Sequence, residues 1–151
     1  MKIILDVQEN LEEDEIRIHC RELNDEIMEI QKYLQSAVSK RREIVVYKDE
    51  NEYYLSLNDA LFFETAGREI MLHTEENAFL VKYKLYELEE MLPDNFVRIS
   101  KSTILNVSKV YAINRNGVTN GMIEFHNTHK QVAVSRMYYK NFRFRLEKKR
   151  R

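Results

Sequence analysis

The chain has 151 residues, is 44% hydrophobic and 32% charged, and contains one cysteine; this is typical of a soluble globular domain and excludes an internal disulfide. It has no run near the ~18 apolar residues of a membrane span and no secretion signal, so we predict a cytoplasmic protein without membrane insertion. The net charge of −1 is divided unevenly, because residues 96–151 hold thirteen Lys and Arg against two Glu, and an anionic partner is expected at this basic third.

Two strands and a helix are predicted in the N-terminal part. The apolar residues of 1–7 and the alternation within 15–20 are typical of short strands. From Glu22 the apolar period changes, which predicts a helix that ends near residues 39–42. Its apolar stripe consists of Leu23, Ile27, Ile30, Leu34 and Val38. This stripe could pair with another helix or pack on the two strands of the same chain, and the pattern leaves both open.

The remainder of the chain is strand-like and predicts a β meander, because short polar breaks separate its apolar runs. The candidate strands are 43–48, 52–57, 58–65, 68–74, 78–83, 96–100, 110–116, 121–126 and 130–135. Turns are predicted at 116–121 and 126–129, and a tight reversal at Gly67.

Two further helices complete the predicted fold. Residues 84–92 have helical spacing until Pro93 stops them. A last helix is expected after Ser135, a good N-cap, with three apolar residues on one face. These are Tyr138, Phe142 and Leu146. The fold class is therefore mainly β with short helices, α+β overall, with a strand-strand-helix element at 1–41 and a β-rich domain at 42–151.

Catalytic motifs are missing from the sequence. It has no Gly-rich phosphate loop, no G-x-S-x-G and no H-E-x-x-H, and three glycines are few for a nucleotide cradle. His126 and His129 lie in a predicted turn without further ligands nearby, which makes a poor metal site. We predict a protein that is not an enzyme and that needs no cofactor or metal.

The stretch 96–110, FVRISKSTILNVSKV, combines basic and small polar side chains with aliphatic ones. Strand alternation places Arg98 and Ser100 on one face and Val97 and Ile99 on the other. Basic side chains interleaved with hydroxyl groups can satisfy phosphate oxygens while a few reach base edges. This pattern favours a nucleic-acid-binding surface.

Three segments, in this order, resemble the signature segments of the LytTR family of bacterial DNA-binding domains. They are YLSLNDALFFETAGREIMLHT (54–74), FVRISKSTILNVSKV (96–110) and VAVSRMYYKNF (132–142). The resemblance runs from about Arg42 to about Leu146. It implies an elongated body of three small β-sheets with short helices, whose loops enter successive major grooves of DNA and usually bend it.

The resemblance also implies the residues that contact DNA. Base-edge contacts are expected from Arg68, Lys101 and Arg136. Phosphate contacts are expected from Arg98, Ser100, Ser102, Lys109 and Lys140. Lys101 also suits a phosphate, because an ammonium is less directional than a guanidinium. Asn106 is expected to have a structural role as the cap of a turn.

The predicted function is sequence-specific binding of double-stranded DNA by a bacterial transcriptional regulator. Many relatives join this domain to a phosphorylatable receiver, as response regulators do, but about forty residues are too few for one, so a stand-alone regulator is expected. Residues 1–40 are predicted to form a homodimer or to bind a regulatory protein. The alternatives are a β-rich RNA-binding module and a protein-interaction module that binds no nucleic acid.

Overall fold

The structure is a computed structural model that describes residues 1–40, 42–115 and 121–150. The chain divides into two compact units, Met1–Ala37 and Val38–Arg151. The predicted boundary after residue 41, between a dimerisation segment and a DNA-binding domain, stays a prediction. Among the described residues, no helix has the length and apolar character needed to cross a lipid bilayer.

The two predicted N-terminal strands do not form, and this prediction was wrong. Residues 1–24 contain no helix or strand, and their apolar side chains are exposed, Ile3 by 98%. Alternation gives a strand an apolar face, but a strand also needs a partner with which its backbone groups can pair. No strand of the described residues provides one here.

The predicted N-terminal helix does form, as α1 (Asp25–Lys40). Asn24 caps it, since its Oδ1 accepts a hydrogen bond from the Ile27 N–H at 2.9 Å. Of the predicted apolar stripe, Ile27, Ile30 and Leu34 are half-buried on α1. Leu23 precedes the helix and is exposed, and the side chain of Val38 lies outside the described residues.

The second unit confirms the predicted fold class. It contains a seven-stranded antiparallel sheet in the order β2-β1-β5-β4-β3-β7-β6 and a three-stranded sheet in the order β10-β9-β8. The strands are β1 (Glu43–Lys48), β2 (Asn51–Ser56), β3 (Phe62–Ala66), β4 (Glu69–His73), β5 (Ala78–Val81), β6 (Phe96–Ser100), β7 (Thr103–Asn106), β8 (Val110–Asn114), β9 (Met122–Phe125) and β10 (Gln131–Ala133). The helices are α2 (Leu85–Met91) and α3 (Arg136–Arg150), with 3₁₀ turns at Leu57–Asp59 and Val107–Lys109.

The described residues form two sheets, whereas the resemblance implied three. The β1–β2 hairpin joins the large sheet through a single registered pair, Tyr47 with Leu80, so this hairpin is nearly a sheet of its own. The predicted turn at 126–129 forms, with Asn127 at a φ of 60°. The predicted turn at 116–121 lies outside the described residues except for Gly121.

Two apolar clusters pack against opposite faces of the large sheet. Phe62 and Phe63 are consecutive in β3 and therefore point to opposite faces. Phe62 belongs to the cluster between the two sheets, which also contains Phe142 and Leu146 of α3. Phe63 belongs to the cluster under α2, with Leu88. The first cluster fixes α3 against the sheets.

The β1–β2 hairpin contains two residues in the left-handed conformation. Asp49 (φ 50°) and Glu50 (φ 67°) connect the registered pair Lys48 and Asn51. Positive φ at both positions is the geometry of a type I′ turn, which favours Asn-Gly because other side chains are strained there.

We therefore expect the double variant Asp49→Asn/Glu50→Gly to gain about 1 kcal/mol of unfolding free energy. Urea unfolding would show this as a higher midpoint. Glu76→Gly, at an exposed position outside the left-handed region, is the control and should give no gain. Equal stabilisation by both variants would contradict the explanation.

Candidate nucleic-acid interface

Arg68 lies at the tip of the β3–β4 hairpin. Ala66 and Glu69 pair in register, so Gly67 and Arg68 alone form the turn. Gly67 has a φ of 65°, as in type II′ turns, which place glycine first. This confirms the predicted reversal at Gly67 and leaves the Arg68 side chain exposed.

The β6–β7 turn is braced from within by Arg98. Its Nε donates to the Ser100 carbonyl at 2.7 Å, and its Nη2 donates to the Lys101 carbonyl. Its Nη1 pairs with the Glu89 carboxylate, and the Arg98 side chain is 21% exposed. The guanidinium thus fixes the turn that presents Lys101 to solvent, and its predicted phosphate contact stays a prediction.

A backbone hydrogen bond ties this turn to β3, and a hydrogen bond to a side chain closes the turn itself. The Thr65 N–H donates to the Ser102 carbonyl at 2.9 Å, and the Ser102 N–H donates to the Ser100 hydroxyl at 3.2 Å. Because β3 and β7 are antiparallel neighbours, the β6–β7 turn and the β3–β4 turn lie at the same end of the sheet.

The start of α3 is held at the same end. The Ser135 N–H donates to the Ile99 carbonyl of β6 at 2.9 Å, and the Ser135 carbonyl accepts from the Tyr138 N–H at 3.1 Å. Arg136 opens the helix with an exposed side chain, and Lys140 is exposed one turn later. Ser135 therefore precedes α3, as predicted.

A polar groove of about 530 Å³ lies between these elements. Its lining includes Ser100 and Ser102 at the β6–β7 turn and the residues that lead into α3. The polar groove is lined by Glu64, Ser100, Ser102, Thr103, Gln131, Val132, Ala133, Val134, Ser135 and Arg136. The structure thus brings together three of the eight predicted contact residues, Ser100, Ser102 and Arg136.

The comparisons with known proteins identify the fold. The model of the LytTr DNA-binding domain matches residues 50–147. The chain belongs to the LytTR family. A solved LytTr DNA-binding domain from Bacillus cereus has a TM-score of 0.64 and 25% identity, covering 70% of this chain and 96% of that one. The family predicted from the three sequence segments is confirmed.

Similar full-length relatives occur in Staphylococcus aureus. The uncharacterized HTH-type transcriptional regulator of strain NCTC 8325 is 32% identical over 147 residues, 97% of this chain and 98% of the relative. Its counterpart in strain MRSA252 is 31% identical over the same coverage. In the described part of the LytTR chain, strands separate each helix from the next, so no helix-turn-helix is found there.

Lys109 lies in different chemical surroundings from the other predicted contact residues. It ends the second 3₁₀ turn and lines a separate depression of about 310 Å³ together with Asp59, Glu75 and Glu76. The three carboxylates of this depression disfavour a phosphate there. Its predicted phosphate contact stays a prediction.

The structural role predicted for Asn106 in the LytTR domain is confirmed. The side chain is buried; its Oδ1 accepts from the Ser108 N–H at 3.1 Å and from the Asn95 Nδ2 at 2.9 Å. Its Nδ2 donates to the Ala60 carbonyl at 2.9 Å. Asn106 thus satisfies backbone groups on two sides of the turn, as a buried amide must.

Sequence reasoning missed Glu64 and Thr103, which line the polar groove. Glu64 was missed because the prediction of β3 used only its apolar residues. Thr103 was missed because β7 itself was not predicted. The signal for Glu64 was a carboxylate directly after Phe62 and Phe63 in a strand, since a buried strand end rarely carries an unpaired charge.

A half-buried histidine contacts Glu64. The His73 Nε2 lies 3.8 Å from the Glu64 Oε2, and its ring stacks on Phe62 with centroids 4.4 Å apart. Burial and, secondly, the Lys130 ammonium lower the pKa of His73 from 6.5 to about 4. The imidazole is therefore neutral near pH 7.

This lowered pKa predicts a pH dependence of stability. Between about pH 4 and 6.5, His73 is protonated in the unfolded chain but stays neutral in the folded protein. The unfolding free energy should therefore fall as pH decreases through this window. We expect His73→Phe, which keeps the stacking on Phe62, to flatten the dependence in urea unfolding at graded pH. Parallel curves for the two proteins would contradict this origin.

Proposed function

We propose that this LytTR chain binds double-stranded DNA sequence-specifically and regulates transcription in the bacterial cytoplasm. The β3–β4 turn, the β6–β7 turn and the start of α3 would enter the major groove. The observation that carries the proposal is the meeting of these three elements at one end of the sheet. Hydrogen bonds from Thr65 to Ser102 and from Ser135 to Ile99 hold them together.

The exposed cations of these elements suit base edges and phosphates. Arg68, Lys101 and Arg136 are exposed, and none of them forms an ion pair with another described residue. An Arg can grip guanine O6 and N7 with two hydrogen bonds, so Arg68 and Arg136 are the stronger candidates for base contacts. Lys101 can serve a base or a phosphate.

The phosphate contacts divide into two groups. Ser100 and Ser102 line the polar groove, and Lys140 is exposed, so these three residues are accessible to phosphates. Arg98 would first have to leave the internal contacts described above, and Lys109 lines a separate depression with three acidic residues. We therefore assign the main phosphate contacts to the first group.

DNA bending is part of the proposal. The turns are held by strand pairing and by Arg98, so the protein surface is stiff. A stiff surface that inserts turns into successive grooves requires the duplex to adapt, at a cost that depends on its sequence. Fluorescence energy transfer between labelled duplex ends should rise when the protein binds, and unchanged transfer would exclude bending.

The central experiment is the selection of bound sequences from a random duplex pool at physiological salt. We expect two short repeats about one helical turn, roughly 10 base pairs, apart. Competition with single-stranded DNA and RNA tests the RNA-binding alternative, and the slope of log affinity against log salt, about −0.9 per phosphate contacted, tests the protein-interaction alternative. Absence of any selected motif would overturn sequence-specific binding.

We further propose that α1 mediates a homodimer. Ile27, Ile30 and Leu34 lie at spacings of three and four, on one face of the helix. Burying an apolar side chain at a two-fold interface counts twice, so Ile30→Asp should weaken association roughly tenfold or more. Gln31→Asp, with an exposed neighbouring side chain, is the control. A monomer at micromolar concentration in sedimentation, for the unmodified chain, would contradict the proposal.

A further inference from the structure

Glu64 lies where the packed interior ends and the polar groove begins. In β3 it follows Phe62 on the same face, and it pairs in register with Thr103 of β7. Phe62 packs in the cluster between the two sheets. The next residue on that face is Glu64, whose side chain is 45% exposed. Strand alternation thus directs its carboxylate into the polar groove.

Among the described residues, no Lys or Arg forms an ion pair with Glu64. The nearest basic nitrogen is the His73 Nε2, 3.8 Å from a carboxylate oxygen, and burial keeps this imidazole neutral near pH 7 because it lowers the pKa of His73 to about 4. The other polar residues that line the groove are Gln131, Arg136, which is not paired with Glu64, and the hydroxyl residues Ser100, Ser102, Thr103 and Ser135. Hydroxyl groups can share a hydrogen bond but carry no charge.

An ionised carboxylate accepts hydrogen bonds and donates none. It repels phosphate oxygens in its immediate surroundings and attracts donor groups. The major-groove edges of DNA present donors as exocyclic amino groups, N4 of cytosine and N6 of adenine. Adenine places the acceptor N7 beside its amino group, which repels a carboxylate, whereas cytosine presents the amino group alone. The chemistry therefore favours cytosine.

We propose that Glu64 is a specificity-determining residue that accepts a hydrogen bond from the N4 amino group of a cytosine in the bound DNA. This inference rests on the proposed function, since it assigns one base contact within the same interface. It also gives a carboxylate a purpose on a surface where Lys101 and Lys140 attract phosphates. Glu64 disfavours a phosphate beside its own carboxylate and leaves that position to a base, whereas Ser100 and Ser102 stay available to phosphates elsewhere along the groove.

The test is selection of bound duplexes by the full chain and by Glu64→Gln. A glutamine amide both donates and accepts and pairs with adenine N6 and N7. We therefore expect one position of the selected motif to change from cytosine to adenine, with a change in relative affinity of roughly tenfold or more. Glu69→Gln removes the same charge from an exposed residue beside the β3–β4 turn and should leave every base preference unchanged.

Further variants separate a direct contact from other roles. Glu64→Asp keeps the charge on a shorter side chain and should keep cytosine with weaker discrimination; circular dichroism of each variant establishes that it is folded. If Glu64→Gln alters only the position that Arg136→Ala alters, Glu64 acts through Arg136 and the proposal is overturned. Unchanged preference at every position also overturns it. Failure of the unmodified chain to select any motif instead overturns the proposed function, and this contact with it.

Discussion

Replacing Arg136 by alanine is expected to weaken binding of the selected DNA by about 1–3 kcal/mol and to remove the preference at particular base pairs. Arg136 begins α3, is exposed and lines the polar groove. A cation at a helix N-terminus faces the positive end of the helix dipole. The side chain therefore contributes little to stability, and the variant should unfold at the same urea concentration as the parent or slightly above it.

Lys140→Ala provides the matched comparison. It removes a cation one helical turn later, at an exposed position assigned to a phosphate. Its affinity should fall by a similar factor for all sequences, and its log–log salt slope should decrease in magnitude by about 1. Affinities of both variants for the selected duplex, for single base changes and for unrelated duplex, at several salt concentrations, separate the two roles. If Arg136→Ala weakens all sequences equally, Arg136 is a phosphate contact.

The β-rich unit could be predicted from sequence because local signals agree there with the tertiary structure. The alternation of Val97 and Ile99 against Arg98 and Ser100 is observed, since the first two are buried and the others only half-buried. Gly67 marks its turn because only a residue without a Cβ accepts a positive φ without strain. The three family segments then fix the order of the elements.

Other elements could not be predicted because their local pattern is ambiguous. All four residues of β7 (Thr103–Asn106) are buried, so the strand shows no alternation, which is the signal sought in a half-buried strand. Residues 1–7 and 15–20 show the opposite case, with apolar patterns but no strand. An apolar pattern shows which side chains of a strand could be buried. Whether a neighbouring strand is available to pair with it depends on the whole fold.

The candidate site was predictable in its position and not in the state of each side chain. The segment 96–110 does form part of the polar groove. However, the contact of Arg98 with Glu89 and the acidic surroundings of Lys109 depend on residues brought close by the fold. Sequence alone counts cations, whereas a phosphate contact requires a cation whose hydrogen-bond donors are free.

The largest effect on stability is expected for Phe142→Ala, at about 3–5 kcal/mol of unfolding free energy. Phe142 is fully buried in the cluster between the two sheets, and its removal leaves a cavity that the surrounding strands cannot fill without moving. Such a loss is a large part of the 5–15 kcal/mol typical of a whole domain. Urea unfolding followed by circular dichroism measures it directly.

Phe144→Ala is the control that the same helix offers. Phe144 is 63% exposed, whereas Phe142 is 0% exposed, so deletion of this ring should change stability by no more than about 0.5 kcal/mol. Because Phe142 also fixes the helix that begins with Arg136, Phe142→Ala should lose base preference at temperatures where it is still folded, and Phe144→Ala should keep it. Equal destabilisation by the two variants would mean that α3 is not held by this cluster. The anchoring of Arg136 beside β6 would then depend on hydrogen bonds such as that from Ser135 to Ile99.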